Sequence, residues 1–169
     1  MKNFKLLIPL IFLSLSIYYF APEKKLSQGV MIDKIIIKKS QGKMFVYSKE
    51  KLLKYYRVSL GRVSGKKRFE GDKKTPEGIY YIIDKNPKSS FHLNLGVSYP
   101  NKSDIEYARK RGRRPGNLIK IHGLKNGFGF IGKFHRFVDW TAGCIAVTNP
   151  EIEELYKAVP VGTKLIINE

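Results

Sequence analysis

Short apolar runs rich in β-branched and aromatic residues recur from residue 34 onward, each closed by turn formers. Lys34-Ile35-Ile36-Ile37-Lys38-Lys39 and Lys43-Met44-Phe45-Val46-Tyr47 are separated by Ser40-Gln41-Gly42, which predicts a β-hairpin. Leu52 to Leu60, stopped by Gly61, predicts a third strand. Gly78 to Ile83, Phe91 to Leu95, Leu118 to Ile121 and Thr163 to Ile167 predict four more. Helical character is confined to Ser103–Lys110 and to Pro150–Val159, where Ile152, Leu155, Tyr156 and Val159 share one face. Asn149 before Pro150 fits an N-cap followed by proline at the first helical position. Strands without regular helical crossovers argue against a doubly wound sheet. They predict a mainly β fold, a sandwich or open barrel with one or two short helices.

The start of the chain follows a different pattern. Met1-Lys2-Asn3-Phe4-Lys5 is basic, and Leu6 to Phe20 is apolar apart from Pro9, Ser14 and Ser16. This is the order of an export signal, at the upper length of such a core and short of the ~20 residues of an easy membrane span. Tyr18-Tyr19-Phe20-Ala21-Pro22 holds no A-x-A pattern, and proline after Ala21 is a poor cleavage context, so an uncleaved anchor stays open. No cysteine follows for a lipid anchor. The expected organisation is 1–21 as signal peptide or retained membrane anchor, 22–29 as linker and 30–169 as one folded domain. The expected location is the periplasm or cell envelope, with attachment to the inner membrane through residues 1–21 as the alternative to release.

Composition narrows the function classes. Of 169 residues 43% are hydrophobic and 12% aromatic, enough for one core and too many for a disordered polymer. Lys+Arg outnumber Asp+Glu by 32 to 14, a net charge of +18 that favours anionic partners such as nucleic acid, acidic lipid or wall polymer. It does not choose among them, and a solvated lysine-rich surface is the plainer reading. Export argues against nucleic acid, and no nucleic-acid-binding signature is present. One cysteine and three histidines exclude a disulfide framework and multi-cysteine zinc sites, and His92, His122 and His135 have no recognised metal-ligand spacing. No metal and no cofactor are expected.

Gly127-Phe128-Gly129-Phe130-Ile131-Gly132 matches G-x-G-x-x-G, but bulky residues follow it where a dinucleotide site needs a helix N-terminus, so it is read as a glycine-rich loop. Cys144 is the candidate nucleophile. Thr141-Ala142-Gly143 ahead of it are small enough for a substrate backbone to approach and for backbone N–H groups to face an oxyanion. A buried cysteine packed as a small hydrophobe is the competing reading. A nucleophilic cysteine needs an imidazole to form thiolate, and Ile121-His122-Gly123 sets one at a strand end on the face of Lys120. His135, in an aromatic loop, is placed along the cleft; His92 is expected to pack.

Together these residues resemble a YkuD-type L,D-transpeptidase catalytic domain. The order is Glu70-Gly71-Asp72, Thr75-Pro76-Glu77-Gly78, Ile121-His122-Gly123, Gly143-Cys144, Asn149 and Val161-Gly162-Thr163, so the resemblance spans about Lys34 to Glu169. It implies a mostly β fold and cysteine acyl transfer on peptidoglycan stem peptides. Cys144 would be the nucleophile, His122 its base, and the backbone at Gly143 and Cys144 the oxyanion hole. The thiolate would attack the L-centre carbonyl of the third stem residue, and an amine, an envelope protein or water would resolve the acyl-enzyme.

Thr141 and Ala142 stand where the family more commonly has Ser and His, a departure similar to the YafK-like branch, some of whose members are thought to hydrolyse murein linkages. The alternatives are therefore an L,D-amidase or hydrolase and, from another class, a non-catalytic basic wall-binding module. His135, Thr141, Arg113 and Arg114 are the expected substrate contacts. Both arginines belong to a basic cluster from Arg109 to Arg114 that leads into the His122 strand, and guanidinium groups suit stem-peptide carboxylates.

Overall fold

The computed structural model describes residues 4–169; Met1 to Asn3 of the basic start lie outside the described residues. Eight strands, β1 (Lys34–Lys38), β2 (Lys43–Ser48), β3 (Lys51–Arg57), β4 (Gly78–Ser89), β5 (His92–Val97), β6 (Lys120–His122), β7 (Ile145–Ala146) and β8 (Lys164–Asn168), form one sheet. Its order is β3-β2-β1-β8-β4-β5-β6-β7. The pairs are antiparallel except β1 with β8 and β6 with β7, which are parallel.

Burial follows the two-residue period. Ile35 and Ile37 on β1, Met44 and Val46 on β2, Tyr80 and Ile82 on β4, and Leu165 and Ile167 on β8 point into the core, while Ile36, Phe45 and Ile166 face outward. Fully burying one such side chain is worth roughly 1.5–3 kcal/mol, so the register of each strand is fixed by which row it hides. Irregular pairings in β2 and β4 bend the sheet. It curls until the chain leaving β3 meets β7: the Ser59 N–H donates to Ala146 O at 3.0 Å and the Ala146 N–H to Ser59 O at 2.8 Å. The architecture is thus the open-barrel member of the two predicted alternatives.

Among the described residues three α-helices accompany the sheet: α1 (Phe4–Phe20), α2 (Lys102–Arg109) and α3 (Asn149–Ala158). α3 buries Ile152, Leu155 and Ala158 in the core. Its cap is Thr148 rather than the expected Asn149: Thr148 and Glu151 form a capping box, with the Thr148 N–H and hydroxyl donating to the Glu151 carboxylate at 2.9 and 2.8 Å. Asn149 is freed to accept the Leu124 N–H at 2.8 Å, tying the loop after β6 to the start of α3. The 22–29 segment, expected as a linker, meets α3 through the Leu26 N–H and Glu154, and just beyond it the Ile32 N–H donates to Ala158 O.

The glycine-rich stretch is wound more tightly than an open loop. Gly129–Phe137 coils into 3-10 turns kinked at Gly132. Its glycines serve close packing, because a Cβ on Gly129 would lie 2.8 Å from the Asn149 side chain and one on Gly132 2.8 Å from the Tyr19 ring.

Candidate active site

β6 and β7 run in parallel with Ile121 opposite Ile145 and His122 opposite Ala146. His122 ends β6 and Cys144 immediately precedes β7, so the two candidate groups are delivered by neighbouring strands from opposite ends of the sequence motif. The Cys144 Sγ donates to Leu118 O at 3.6 Å. Leu118 was expected within a strand. Instead it holds φ +60, exposed, with its carbonyl turned to the sulfur, and β6 begins only at Lys120.

His122 is buried between aromatic walls, its ring centroid 4.6 Å from Phe91 and 5.8 Å from Trp140. Its Nδ1 lies 2.7 Å from the Gly123 carbonyl. A carbonyl only accepts, so Nδ1 carries the proton and Nε2 keeps a free lone pair, the tautomer of a base. Burial holds the imidazole below its ordinary titration range against the pull of the Gly123 bond, and Lys120 adds to the depression. Burial likewise pushes the Cys144 thiol up, while the Lys120 N–H and the charges of Lys120 and Lys67 act the other way. Burial thus favours the uncharged form of both groups, neutral thiol and neutral imidazole.

The turn that presents Cys144 is held from inside. The buried Thr141 hydroxyl donates to Cys144 O at 2.7 Å and accepts the Gly143 N–H at 3.0 Å. Thr141, expected to touch substrate, is therefore a brace within the turn. The Gly143 N–H, expected at an oxyanion, is already engaged, and the Cys144 N–H, which has no partner among the described residues, is the donor left for one. Gly143 has φ +126, and a Cβ there would lie 2.5 Å from Lys74 O. Only glycine meets both conditions.

The loop behind this turn is organised by Asp72. Its carboxylate accepts N–H groups from Arg68 (2.7 Å), Phe69 (2.9 Å) and Lys74 (3.2 Å) and pairs with buried Lys67 at 2.9 Å. Neither Ser59 nor Lys67 was singled out in the sequence, although a serine interrupting the apolar Val58–Leu60 run was the available signal.

His135, expected along the cleft, lies beside Trp140, whose ring in turn meets His122. It is buried, its Nδ1 3.0 Å from Ser59 Oγ, and Ser59 in turn donates to His135 O at 2.8 Å. Burial, then Arg136 and His122, push its imidazole down to about 4. His92, expected to pack, instead pairs with Glu153 at 2.7 Å near the surface. Arg113 and Arg114 are exposed on the loop after α2. The Arg113 guanidinium stacks 3.9 Å from the Phe69 ring, and Arg114 Nε lies 3.1 Å from Glu70. That loop bonds to the Asp72 loop through the Glu70 N–H and Arg114 O, and the Asp72 loop abuts Gly143, so the arginines are connected to the Cys144 turn at one remove. Among the described residues no group of three His, Cys, Asp or Glu side chains is placed to hold a metal ion.

The sequence model of the YkuD L,D-transpeptidase catalytic domain matches residues 32–167. Among solved structures, the chain is similar to Bdellovibrio bacteriovorus Bd1075 at 25% identity and TM-score 0.58, covering 84% of this chain and 49% of that one. It is also similar to the helical cell shape determining protein Pgp2 from Campylobacter jejuni, with 23% identity, TM-score 0.63 and coverage of 86% and 50%. Mycobacterium tuberculosis L,D-transpeptidase 1 shares the fold at 14% identity and TM-score 0.50, with coverage of 80% and 60%. The chain spans about half the length of the first two. No curated protein matches.

Proposed function

The chain belongs to the L,D-transpeptidase catalytic domain family, and from that membership and the site geometry we propose that it is a cell-envelope cysteine acyltransferase acting on peptidoglycan stem peptides. The observation that carries this reading is the His122 tautomer: Nδ1–H is spent on the Gly123 carbonyl, so Nε2 is available as a base on the strand beside Cys144. Nε2 takes the thiol proton as sulfur attacks the carbonyl carbon of the L-centre of the third stem residue. The oxyanion forms against the Cys144 N–H. As the tetrahedral centre collapses, the imidazolium returns its proton to the departing amine of the terminal D-alanine, leaving a thioester. An incoming amine then loses its proton to His122 and displaces the thiol, forming the new amide. Water in its place gives hydrolysis.

Incubation of the protein with a defined tetrapeptide stem and, separately, a 3→3 cross-linked muropeptide, with products read by mass, tests the proposal. New cross-linked dimers establish transpeptidation, and free tripeptide or opened cross-links establish the hydrolytic outcome. No conversion of either compound by protein with an intact thiol would contradict the acyl-transfer reading.

A further inference from the structure

The contact between α1 and the 3-10 turns is built in detail. Tyr18 stacks on Phe137 and Phe134 with centroids 5.5 and 6.3 Å apart, and the Tyr19 hydroxyl donates to Phe130 O at 2.6 Å. The Lys133 ammonium donates to the carbonyls of Tyr18 and Ala21 at the C-terminal end of α1, where unpaired carbonyls and the helix dipole favour a cation. Arg136, almost wholly buried, joins Glu23 at 2.6 Å to Glu151 at 2.7 Å. The Arg136 guanidinium holds the Glu23 carboxyl down to about 2. A segment destined only for removal would have no need of such partners.

From Leu7 to Ile17, α1 is uncovered and, Ser14 and Ser16 aside, apolar. Phe12 is 67% exposed and Ile17 62%, and no side of the helix from Leu7 to Ile17 is polar apart from Ser14 and Ser16. A helix without a polar face has no side to turn to water. The loop continues this surface, with Phe130 72%, Phe137 61% and Val138 64% exposed. Aromatic rings next to Lys and Arg at the end of an apolar helix are the composition of a membrane interface, and the exposed Lys24, Lys25 and Lys125 beside it match anionic headgroups. At 17 residues α1 is ~25 Å long against a hydrocarbon core of ~30 Å. Among the described residues no helix is long and apolar enough to cross a membrane. The helix gains from the loop the interfacial contact that its own length does not supply.

We propose that α1 is retained and that it and the 128–138 loop form one continuous face seated in an anionic lipid bilayer, bedding the domain against the membrane. The inference does not rest on the catalytic reading. The test uses the full chain with Cys144→Ala removing the native thiol and a polarity-sensitive fluorophore placed through Phe130→Cys, Val138→Cys or, on the outer face of β4, Ile79→Cys. On phosphatidylglycerol-containing vesicles, the label at 130 and at 138 is expected to shift to the blue and to be quenched several-fold more by shallow nitroxide lipids than the label at 79. Labels at 130 and 138 that stay as water-like as the label at 79 on vesicle-bound protein would overturn the proposal. So would failure of the chain to bind the vesicles, or recovery of the protein from cells with residues 1–21 removed.

Discussion

Thr141 shows how much of the site rests on one hydroxyl, which ties the Gly143 N–H to the Cys144 carbonyl across the nucleophile turn. Thr141→Val keeps the shape and removes both bonds. It is expected to cost about 1–2 kcal/mol of stability and to slow acylation at least tenfold in single-turnover measurements, with Thr141→Ser restoring both. Equal rates for the valine variant and the parent would show that the turn holds without the brace. His122→Ala is expected to slow acylation by roughly two to four orders of magnitude while substrate binding changes little, the scale of a lost general base. If His135→Ala were the damaging change and His122→Ala harmless, the base would be misassigned. The nearness of the Cys144 and His122 segments was legible because each motif is local, whereas the engagement of the Gly143 N–H by Thr141 was not. The Thr141 role was not, because a threonine in a turn reads the same whether its hydroxyl faces substrate or backbone.

At the scale of elements, the loop between residues 66 and 75 acts as a rigid support for the nucleophile turn, since the Lys74 carbonyl fills the space where a Gly143 side chain would be. Asp72→Ala strips three N–H partners and leaves Lys67, only 5% exposed, without its counter-charge. The expected result is a loss of about 3 kcal/mol in denaturant unfolding together with reduced turnover, because the floor under Gly143 loosens. Unchanged stability would mean that the loop is held by its other contacts. The hairpin and the longer strands were legible from alternation, since each has one buried row. β7, with two residues, carries no period to read, and the 129–137 turns depend on Tyr19 and Asn149, which are distant in sequence. The α3 cap shifted by one residue because Thr148 and Glu151 complete a reciprocal pair that Asn149 does not offer.

Across the whole molecule, buried His135 links stability to pH. Its Nε2 is buried without a partner among the described residues, so the charged ring, with both nitrogens protonated, would leave a buried N–H unsatisfied. With the folded value at about 4 and the ordinary one at 6.5, the unfolded chain binds the extra proton between these limits. Stability is therefore complete above pH 6.5 and falls by about 3 kcal/mol toward pH 4, and His135→Gln should flatten that part of a Tm-against-pH curve. A parallel decline in the variant would place the effect elsewhere. The excess of cations also acts at this scale. Replacing Arg113 and Arg114 together by Gln should raise KM for stem peptides several-fold at low salt with little change in kcat, and an unchanged KM would assign both to the solvated surface. In the sequence, charge favoured anionic partners without choosing among them or against a solvated surface; the fold sets the exposed Arg113 on Phe69 and Arg114 beside Glu70. The central claim is a thioester on Cys144, and intact-protein mass spectrometry during incubation with a tetrapeptide stem tests it most directly. The expected result is an adduct of the tripeptide acyl group mapped to Cys144, appearing with release of D-alanine and absent from Cys144→Ala. Turnover by Cys144→Ala, or conversion of the stem by the parent with the adduct on another residue, would contradict it.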